Sequence, residues 1–236
     1  MSAGTAPGGE GRHDRASRFV LARWETRILR RMAAALPARV VPDHLTLLGV
    51  LGSAGVAVSY MLTNQSPAWL WAASAALAVQ WAGDSLDGTL ARVREIQRPR
   101  YGFYLDHVVD AFSTVAVGLG LGLSPYMLLS VGLAIVIAYL VLSINVYLET
   151  HVYGEFDIGY GWLGPTEARI VLVGLNTAAV AAGPLPFTLF GVEMTVFDVG
   201  GMATAAGMVG LLGVRIASNL RRLARLEPPP EPGEGG

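Results

Sequence analysis

Long apolar stretches alternate with short polar segments along most of the chain. A helix that crosses the roughly 30 Å hydrocarbon core of a bilayer needs about 20 apolar residues, and six stretches approach that length. The pattern therefore predicts six transmembrane helices, at residues 44–63, 67–92, 101–123, 125–147, 166–190 and 195–217. The clearest of them contains the segment from Tyr126 to Tyr147, which carries no charged residue.

A different pattern precedes the first apolar stretch. Between residues 16 and 40, apolar residues such as Trp24 and Ile28 recur at helical spacing among arginines. This arrangement predicts an amphipathic helix that lies on an anionic membrane surface. A solvated helix of a soluble domain is the alternative. Residues 1–15 and 227–236 lack apolar periodicity, so both segments are predicted to be disordered tails.

The composition agrees with a membrane protein. Of the 236 residues, 53% are hydrophobic and 15% are charged, and the mean hydropathy is +0.47. The chain contains no cysteine, which excludes disulfides, thiolate metal ligands and cysteine nucleophiles. Any metal must therefore be held by oxygen or histidine. No cleavable signal peptide is expected, since the first apolar run starts near Leu45, after a long arginine-rich segment.

The distribution of arginine predicts the orientation. All 17 basic residues are arginines, and they fall into a few clusters. With six spans, both tails and the 92–100 and 148–168 segments lie on one side of the membrane, and that side holds every arginine. The positive-inside rule makes it the cytoplasmic side. Both termini are therefore expected in the cytoplasm.

Glycines are spaced along three predicted spans, in the sets Gly49, Gly52 and Gly55, then Gly118, Gly120 and Gly122, and last Gly207, Gly210 and Gly213. Small residues at such intervals let the backbones of membrane helices approach one another closely. Close helix packing is favoured over a ligand contact at these positions.

Four aspartates lie near the connection between the second and third predicted spans. Asp84 and Asp87 are three residues apart, and Asp106 and Asp110 are four apart, so each pair shares one face of a helix. Carboxylates near hydrocarbon are costly, which favours a functional site over a surface. One or two Mg²⁺ or Mn²⁺ ions would relieve the repulsion among four negative charges. A cluster that binds a purely structural ion is the alternative.

Small residues accompany these carboxylates. Gly88 and Ala91 share the helix face of Asp84 and Asp87, and they leave a groove in which a nucleotide could lie against the backbone. Arg92 is placed to meet a phosphate.

The spacing of these residues is specific. In sequence order the eight positions are Asp84, Asp87, Gly88, Ala91, Arg92, Gly102, Asp106 and Asp110. This pattern resembles the signature of the CDP-alcohol phosphotransferase, or CDP-alcohol phosphatidyltransferase, family. The segment Pro42–Gly49 also resembles the segment that opens the family's first span, although Asp43 replaces the usual Asn.

The resemblance implies a fold and a division of labour. The fold is all-α and integral to the membrane, with six transmembrane helices over residues 41–220 preceded by an amphipathic juxtamembrane helix. Asp84, Asp87 and Asp106 would hold one or two divalent metals on the donor pyrophosphate. Asp110 would act as general base and is also a candidate metal ligand. The residues implied in nucleotide binding are Gly88, Ala91, Arg92 and Gly102. A homodimer is implied as well.

The segment from Glu149 to Arg169 is expected to influence the choice of acceptor. Its Gly164-Pro165-Thr166-Glu167 sequence is a signal for the start of a helix. The functional alternative is that Glu167, Arg169 and Arg215 bind the second substrate, and buried arginines would favour an anionic acceptor such as a sugar or glycerol phosphate. The same segment, however, resembles the matching region of choline and ethanolamine phosphotransferases, whose acceptor is diacylglycerol.

The resemblance implies a metal-dependent enzyme of phospholipid synthesis, and the arginine distribution predicts that its active site faces the cytoplasm. It would transfer a phosphatidyl group from CDP-diacylglycerol to a small polar alcohol, with a phosphorylated polyol among the candidates, and release CMP. The alternative is a choline- or ethanolamine-type enzyme that uses CDP-choline or CDP-ethanolamine with diacylglycerol. A divalent-cation transporter is a less favoured alternative, because the carboxylates lie at one boundary of the membrane rather than through its midplane. Membrane lipids are expected partners, and nucleic acid is not.

Overall fold

The structure, a computed structural model, describes residues 22–153 and 164–228. The predicted tail at 1–15, the start of the predicted interfacial helix, most of the 227–236 tail and residues 154–163 of the acceptor segment lie outside the described residues. The described ranges contain, in order, α1 (Ala22–Ala35), α2 (Pro42–Leu62), α3 (Trp69–Val93), α4 (Pro99–Gly122), α5 (Leu129–Tyr153), α6 (Pro165–Ala182), β1 (Pro186–Leu189), β2 (Val192–Thr195) and α7 (Val196–Leu226).

Four helices of the described ranges, α2, α4, α5 and α7, are long and apolar enough to cross a membrane. Each overlaps one of the predicted spans, although α5 starts four residues later and ends six residues later than predicted. The other two predicted spans form α3 and α6, in which polar and charged side chains interrupt the apolar sequence. An all-α membrane fold therefore fits the helices, while the crossing of the membrane by α3 and α6 stays a prediction.

The C-terminal end of the fifth predicted span is wrong. The pattern predicts a helix up to residue 190, but α6 ends at Ala182. Gly183 has a φ of 73°, and Pro184 lacks the amide hydrogen that a continuing helix needs. The following residues form β1 and β2, which pair as an antiparallel hairpin. Its two-residue turn places Phe190 and Gly191 at positive φ, and short apolar runs of this kind do not distinguish strand from helix by pattern.

The chain divides into two compact units. The first contains α1, α2, α3, α6 and α4 up to Gly120. The second contains the end of α4 from Leu121, together with α5, the hairpin and α7. All four aspartates of the predicted site belong to the first unit.

Glycines allow α2 and α3 to pack closely. A Cβ atom on Gly83 would lie 2.6 Å from both the Gly49 Cα and the Leu45 carbonyl oxygen, and a Cβ atom on Gly52 would lie 2.6 Å from the amide nitrogen of Gln80. A larger residue would therefore displace a backbone. The close packing predicted for Gly49 and Gly52 is confirmed. For Gly207, Gly210 and Gly213 the prediction is wrong within this chain, since none of the described residues outside their own helix lies within 4 Å of their Cβ positions.

One face of α1 packs against α3. Leu29 and Ala33 are buried in a cluster with Leu45, Leu86 and Leu90. The two leucines of α3 are four residues apart, and so are the two residues of α1, which gives each helix a continuous apolar stripe. This burial holds α1 beside the helix that carries Asp84 and Asp87.

In the second unit, a polar cap fixes the start of α7. The Asp198 carboxylate accepts hydrogen bonds from the amides of Thr195 and Leu128, each at 2.7 Å. It thereby joins the first turn of α7 to the residue before α5 and satisfies amides that would otherwise lack partners. From this cap α7 continues to Leu226, beyond the predicted end at residue 217.

Candidate active site

Asp87 is held by the neighbouring helix α2. The Thr46 hydroxyl donates a hydrogen bond to Asp87 Oδ2 at 2.6 Å, and the Gly88 amide donates to Oδ1. Thr46 is buried, with 7% of its surface exposed, whereas Asp87 is half-buried. The close approach of Gly49 to Gly83 puts Thr46 within reach of the carboxylate. Helix packing therefore positions Asp87.

Asp84 is paired with a cation from the start of α6. Arg169 Nη2 lies 2.6 Å from Asp84 Oδ2, and the two side chains are only 14% and 18% exposed. Arg169 Nε also donates to the amide oxygen of Gln80 at 2.6 Å. Gln80 is buried one turn before Asp84. Two residues of α3 thus fix the guanidinium, which partly neutralises the carboxylates.

Asp106 and Asp110 lie one turn apart on α4. Asp106 is exposed and Asp110 is half-buried. The Ser53 hydroxyl of α2 donates to the Ser113 hydroxyl at 2.7 Å, and both serines are buried. This contact anchors α4 beside α2 three residues after Asp110. Asp110 is within electrostatic range of the other three aspartates, so the structure brings all four predicted carboxylates into one region.

The carboxylates have the oxygen ligands that a hard divalent cation prefers, although they are not arranged around a common point as the ligands of one ion would be. In residues 22–153 and 164–228, no group of three or more His, Cys, Asp or Glu side chains is arranged to hold an ion. The donor set consists of oxygen atoms, which fits Mg²⁺ or Mn²⁺. Metal binding by these aspartates stays a prediction.

The predicted nucleotide-binding residues lie at the end of α3 and the start of α4. A Cβ atom on Gly88 would lie 3.4 Å from Arg92 Nη1, and Arg92 Nη2 donates to the Thr89 hydroxyl at 3.1 Å. Ala91 is half-buried, and the space around the Cβ position of Gly102 is open to 4 Å. The space beside Gly102 is therefore open, whereas the Arg92 guanidinium lies at van der Waals distance from the Gly88 Cβ position. Their contact with a nucleotide stays a prediction.

Asp43 forms an ion pair with Arg98. It is the residue of the Pro42–Gly49 segment that replaces the usual Asn. Arg98 Nη2 lies 2.6 Å and 2.8 Å from the two Asp43 carboxylate oxygens. The hydrogen bond to Asp43 raises the pKa of Arg98. Both side chains are about half exposed, so the pair contributes little stability. It does connect the start of α2 to the segment between α3 and α4.

Glu167 has a structural contact at the start of α6. Its Oε2 atom accepts a hydrogen bond from the Gly164 amide at 3.1 Å, and Pro165 is the first helical residue. The sequence signal for a helix start is thereby confirmed. The binding of an acceptor by Glu167 or by Arg169 stays a prediction.

Arg215 belongs to the second unit, where it pairs with Glu149 of α5. Arg215 Nε donates to Glu149 Oε1 at 3.1 Å, and Nη2 donates to Oε2. The side-chain amides of Asn145 and Asn219 also donate to Glu149. A shielded carboxylate and its hydrogen-bond donors therefore form a network around Arg215. The predicted contact between Arg215 and an acceptor is not tested by this arrangement.

Thr46 and Gln80 are the site residues that sequence reasoning missed. Thr46 lies within the Pro42–Gly49 segment, whose resemblance to the family was noted. That resemblance did not assign Thr46 a role. Gln80 is a polar residue four positions before Asp84 in an apolar helix, and a buried polar residue on the face of a carboxylate is itself an indication of a site. Their contacts with Asp87 and Arg169 became visible only in the folded chain.

Two comparisons show which known proteins the chain resembles. A family model described as CDP-alcohol phosphatidyltransferase matches residues 39–212. A phosphatidylinositol phosphate synthase from Cutibacterium acnes is 33% identical over 90 residues. The aligned residues are 38% of this chain and 41% of that protein, so the chain spans about two fifths of the length of the curated relative it matches.

Proposed function

The chain belongs to the CDP-alcohol phosphatidyltransferase family, and on this premise we propose that it transfers a phosphatidyl group from CDP-diacylglycerol to a small polar alcohol and releases CMP. The family transfers substituted phosphate groups. The choice of CDP-diacylglycerol as donor is supported by the similarity to a phosphatidylinositol phosphate synthase. That similarity favours this reaction over choline or ethanolamine transfer.

The observation that supports the proposal is that four carboxylates from two helices lie within electrostatic range of one another. Asp84 and Asp87 come from α3, and Asp106 and Asp110 come from α4. Thr46 and Arg169 orient the first two by direct hydrogen bonds. A site of this kind would be costly in a membrane helix bundle unless it served binding or catalysis.

Asp84, Asp87 and Asp106 would hold one or two Mg²⁺ or Mn²⁺ ions, which would stabilise the negative charge of the pyrophosphate and of the departing CMP. The protein's own contribution is to fix the direction of two of these carboxylates. Thr46 does this for Asp87 from α2, and Arg169 does it for Asp84 from α6. Arg92 would add a positive charge for a donor phosphate.

Asp110 is proposed as the general base. It would take the proton from the acceptor hydroxyl while the acceptor oxygen attacks the phosphorus that carries the lipid. A new phosphate ester bond forms as the phosphoanhydride bond breaks, and CMP leaves with the bonding electron pair. The half-buried position of Asp110 limits competition from water for this proton.

The acceptor is proposed to be a small polar alcohol, with a phosphorylated polyol as one candidate. Arg169 supports a charged acceptor, because its guanidinium already lies beside Asp84 in the candidate site. Its pairing also sets a condition, since an acceptor phosphate would have to compete with a carboxylate for the same guanidinium. Roles of Glu167 and Arg215 in acceptor binding remain predictions.

The protein is an integral membrane protein, and we propose that all six long helices cross the bilayer with both termini and the site on the cytoplasmic side. The arginine distribution supports this orientation. The exposed stripe of α1, formed by Trp24, Ile28 and Met32, supports an interfacial position for that helix. The Arg27 Cζ atom lies 5.4 Å from the centroid of the Trp24 ring. A homodimer is carried over from the family as a prediction.

The reaction can be tested with purified protein in lipid nanodiscs. CDP-diacylglycerol, Mg²⁺ or Mn²⁺, and phosphorylated or unphosphorylated polyols would be supplied, and CMP release would be measured. Parallel reactions would contain CDP-choline or CDP-ethanolamine with diacylglycerol. CMP release with CDP-diacylglycerol that disappears in Asp110→Asn is expected. CMP release only in the parallel reactions would show that the donor is CDP-choline or CDP-ethanolamine. No CMP release in either set of reactions, from folded protein, would overturn the proposal.

A further inference from the structure

A carboxylate from α1 joins two helices of the candidate site. Glu25 Oε1 accepts a hydrogen bond from the indole Nε1 of Trp81 at 2.8 Å and another from the Thr166 hydroxyl at 2.6 Å. Trp81 belongs to α3 and Thr166 to α6. One oxygen atom of α1 therefore connects three helices of the same unit.

The two donors lie close in sequence to the ion pair of the site. Trp81 precedes Asp84 by three residues, and Thr166 precedes Arg169 by three residues. Residues three apart are neighbours on a helix surface. Each hydrogen bond to Glu25 is thus one helical turn from a member of the Asp84–Arg169 pair. A change in either bond would rotate or shift the turn that presents a site residue.

Apolar packing alone does not explain a carboxylate at this position. Leu29 and Ala33 already bury the docking face of α1, and Glu25 continues that face one turn earlier. Placing a carboxylate in a half-buried contact is costly unless hydrogen bonds compensate for the lost water. Trp81 and Thr166 provide this compensation, and their geometry makes the contact directional, as leucine packing would not be.

We infer that Glu25 is a positioning residue that sets the relative placement of Asp84 and Arg169 by holding α3 and α6 together through α1. This inference rests on the proposed function for its kinetic consequence only. Its structural part concerns the first unit by itself. The helix predicted to lie on the membrane surface would thereby take part in ordering the active site.

Four variants separate this role from a general loss of packing. Glu25→Ala removes the acceptor, whereas Glu25→Gln keeps an oxygen that can accept both hydrogen bonds. Thr166→Val removes one donor with little change in shape, and Trp81→Phe removes the other but also leaves a smaller ring against the Leu29 and Leu86 cluster. Thr177→Val is the matched control, since its exposed hydroxyl bonds only to a carbonyl of its own helix among the contacts seen.

The first measurement is the rate of CMP release. Glu25→Ala is expected to lower kcat/KM by about tenfold, the effect of losing one or two hydrogen bonds to a charged acceptor, and Glu25→Gln should restore most of it. Trp81→Phe and Thr166→Val should each have smaller effects that disappear in the Glu25→Ala background. Equal losses in the Ala and Gln variants, or fully additive effects, would overturn the inference.

The second measurement does not depend on activity. Because the chain has no cysteine, spin labels can be placed uniquely at Arg30→Cys on α1 and Ala168→Cys on α6, which are both exposed. Glu25→Ala is expected to broaden the distance distribution between them, and Glu25→Gln is expected not to. An unchanged distribution in Glu25→Ala would refute the structural link. Inactive wild-type protein with the expected broadening would count against the proposed function alone.

Discussion

Replacement of Gly83 by alanine is expected to separate α2 from α3 and to disturb Asp87. The added Cβ atom would lie 2.6 Å from the Gly49 Cα and 2.6 Å from the Leu45 carbonyl oxygen. Both neighbours are backbone atoms, so no side-chain rotation can relieve the overlap. The two helices must therefore move apart at this point.

The size of the movement follows from these distances. Ordinary van der Waals contacts of a Cβ atom begin at 3.4 Å, so relieving these two contacts alone requires the separation to grow by about 0.8 Å. The Gly49 amide nitrogen would be closer still to the added atom, so the movement must be larger than this. The 2.6 Å hydrogen bond from Thr46 to Asp87 joins the same two helices and would stretch toward the limit of about 3.2–3.5 Å. Losing a bond to a charged acceptor costs about 1.5–3 kcal/mol, and overpacking costs about 1–3 kcal/mol. Alanine regains only about 1 kcal/mol of helix propensity.

Thermal unfolding in detergent and the initial rate of CMP release measure the two effects separately. Gly83→Ala is expected to lower the Tm and to reduce kcat by about tenfold or more, as the loss of that hydrogen bond implies. Gly174→Ala on α6 is the matched control, because the space around its Cβ position is open to 4 Å. It should keep full activity and an equal or higher Tm, since only the gain in helix propensity applies.

A Gly83→Ala protein with the stability and activity of Gly174→Ala would refute the close packing of α2 on α3. A lower Tm with unchanged kcat would confirm the packing but refute its connection to Asp87 through Thr46. In that case the overlap would destabilise the packing of the two helices without changing the position of Asp87.

Three further outcomes are expected. Thr46→Val should reduce kcat about tenfold through loss of one hydrogen bond to Asp87. Thr46→Ser should retain most of the rate, and the control Thr177→Val should retain all of it. Equal rates for the Val and Ser variants at position 46 would contradict this prediction. Mn²⁺ should raise the Tm of the wild-type protein but raise that of Asp87→Asn much less, in a thermal-shift assay without substrate; equal shifts would exclude Asp87 as a ligand. Arg94→Lys should lower the Tm, because an ammonium group cannot replace a guanidinium that bonds four backbone carbonyls, whereas Arg98→Lys, in an exposed pair, should leave the Tm nearly unchanged.

The pairing of the four aspartates on two helices could be predicted from sequence because their signal is local, and their role as a site stays a prediction. The eight spaced positions from Asp84 to Asp110 lie within 27 residues, and helical periodicity places each pair of aspartates on one face. The membership of the family follows from the same region and its surroundings. Which side chains hold those aspartates could not be predicted, since no local pattern links Thr46 to Asp87 or Arg169 to Asp84.

The helices show the same division. Apolar length predicted α2, α4, α5 and α7 as membrane-crossing candidates, because hydropathy is a property of consecutive residues. The end of α6 was mispredicted because the residues after it are also apolar. There the local conformations of Gly183 and Pro184, and the pairing of two short strands, override the average hydropathy.

By itself the sequence determined the class of the molecule, an all-helical membrane protein with an aspartate signature, since apolar runs and helical spacing are read from neighbouring residues. Only the tertiary structure decided that Glu25 meets Trp81 and Thr166, and that Asp84 meets Arg169. These partners are between 56 and 141 residues apart in the chain. Such contacts depend on how closely whole helices pack, and glycine-to-backbone contacts such as that of Gly83 with Gly49 set that distance.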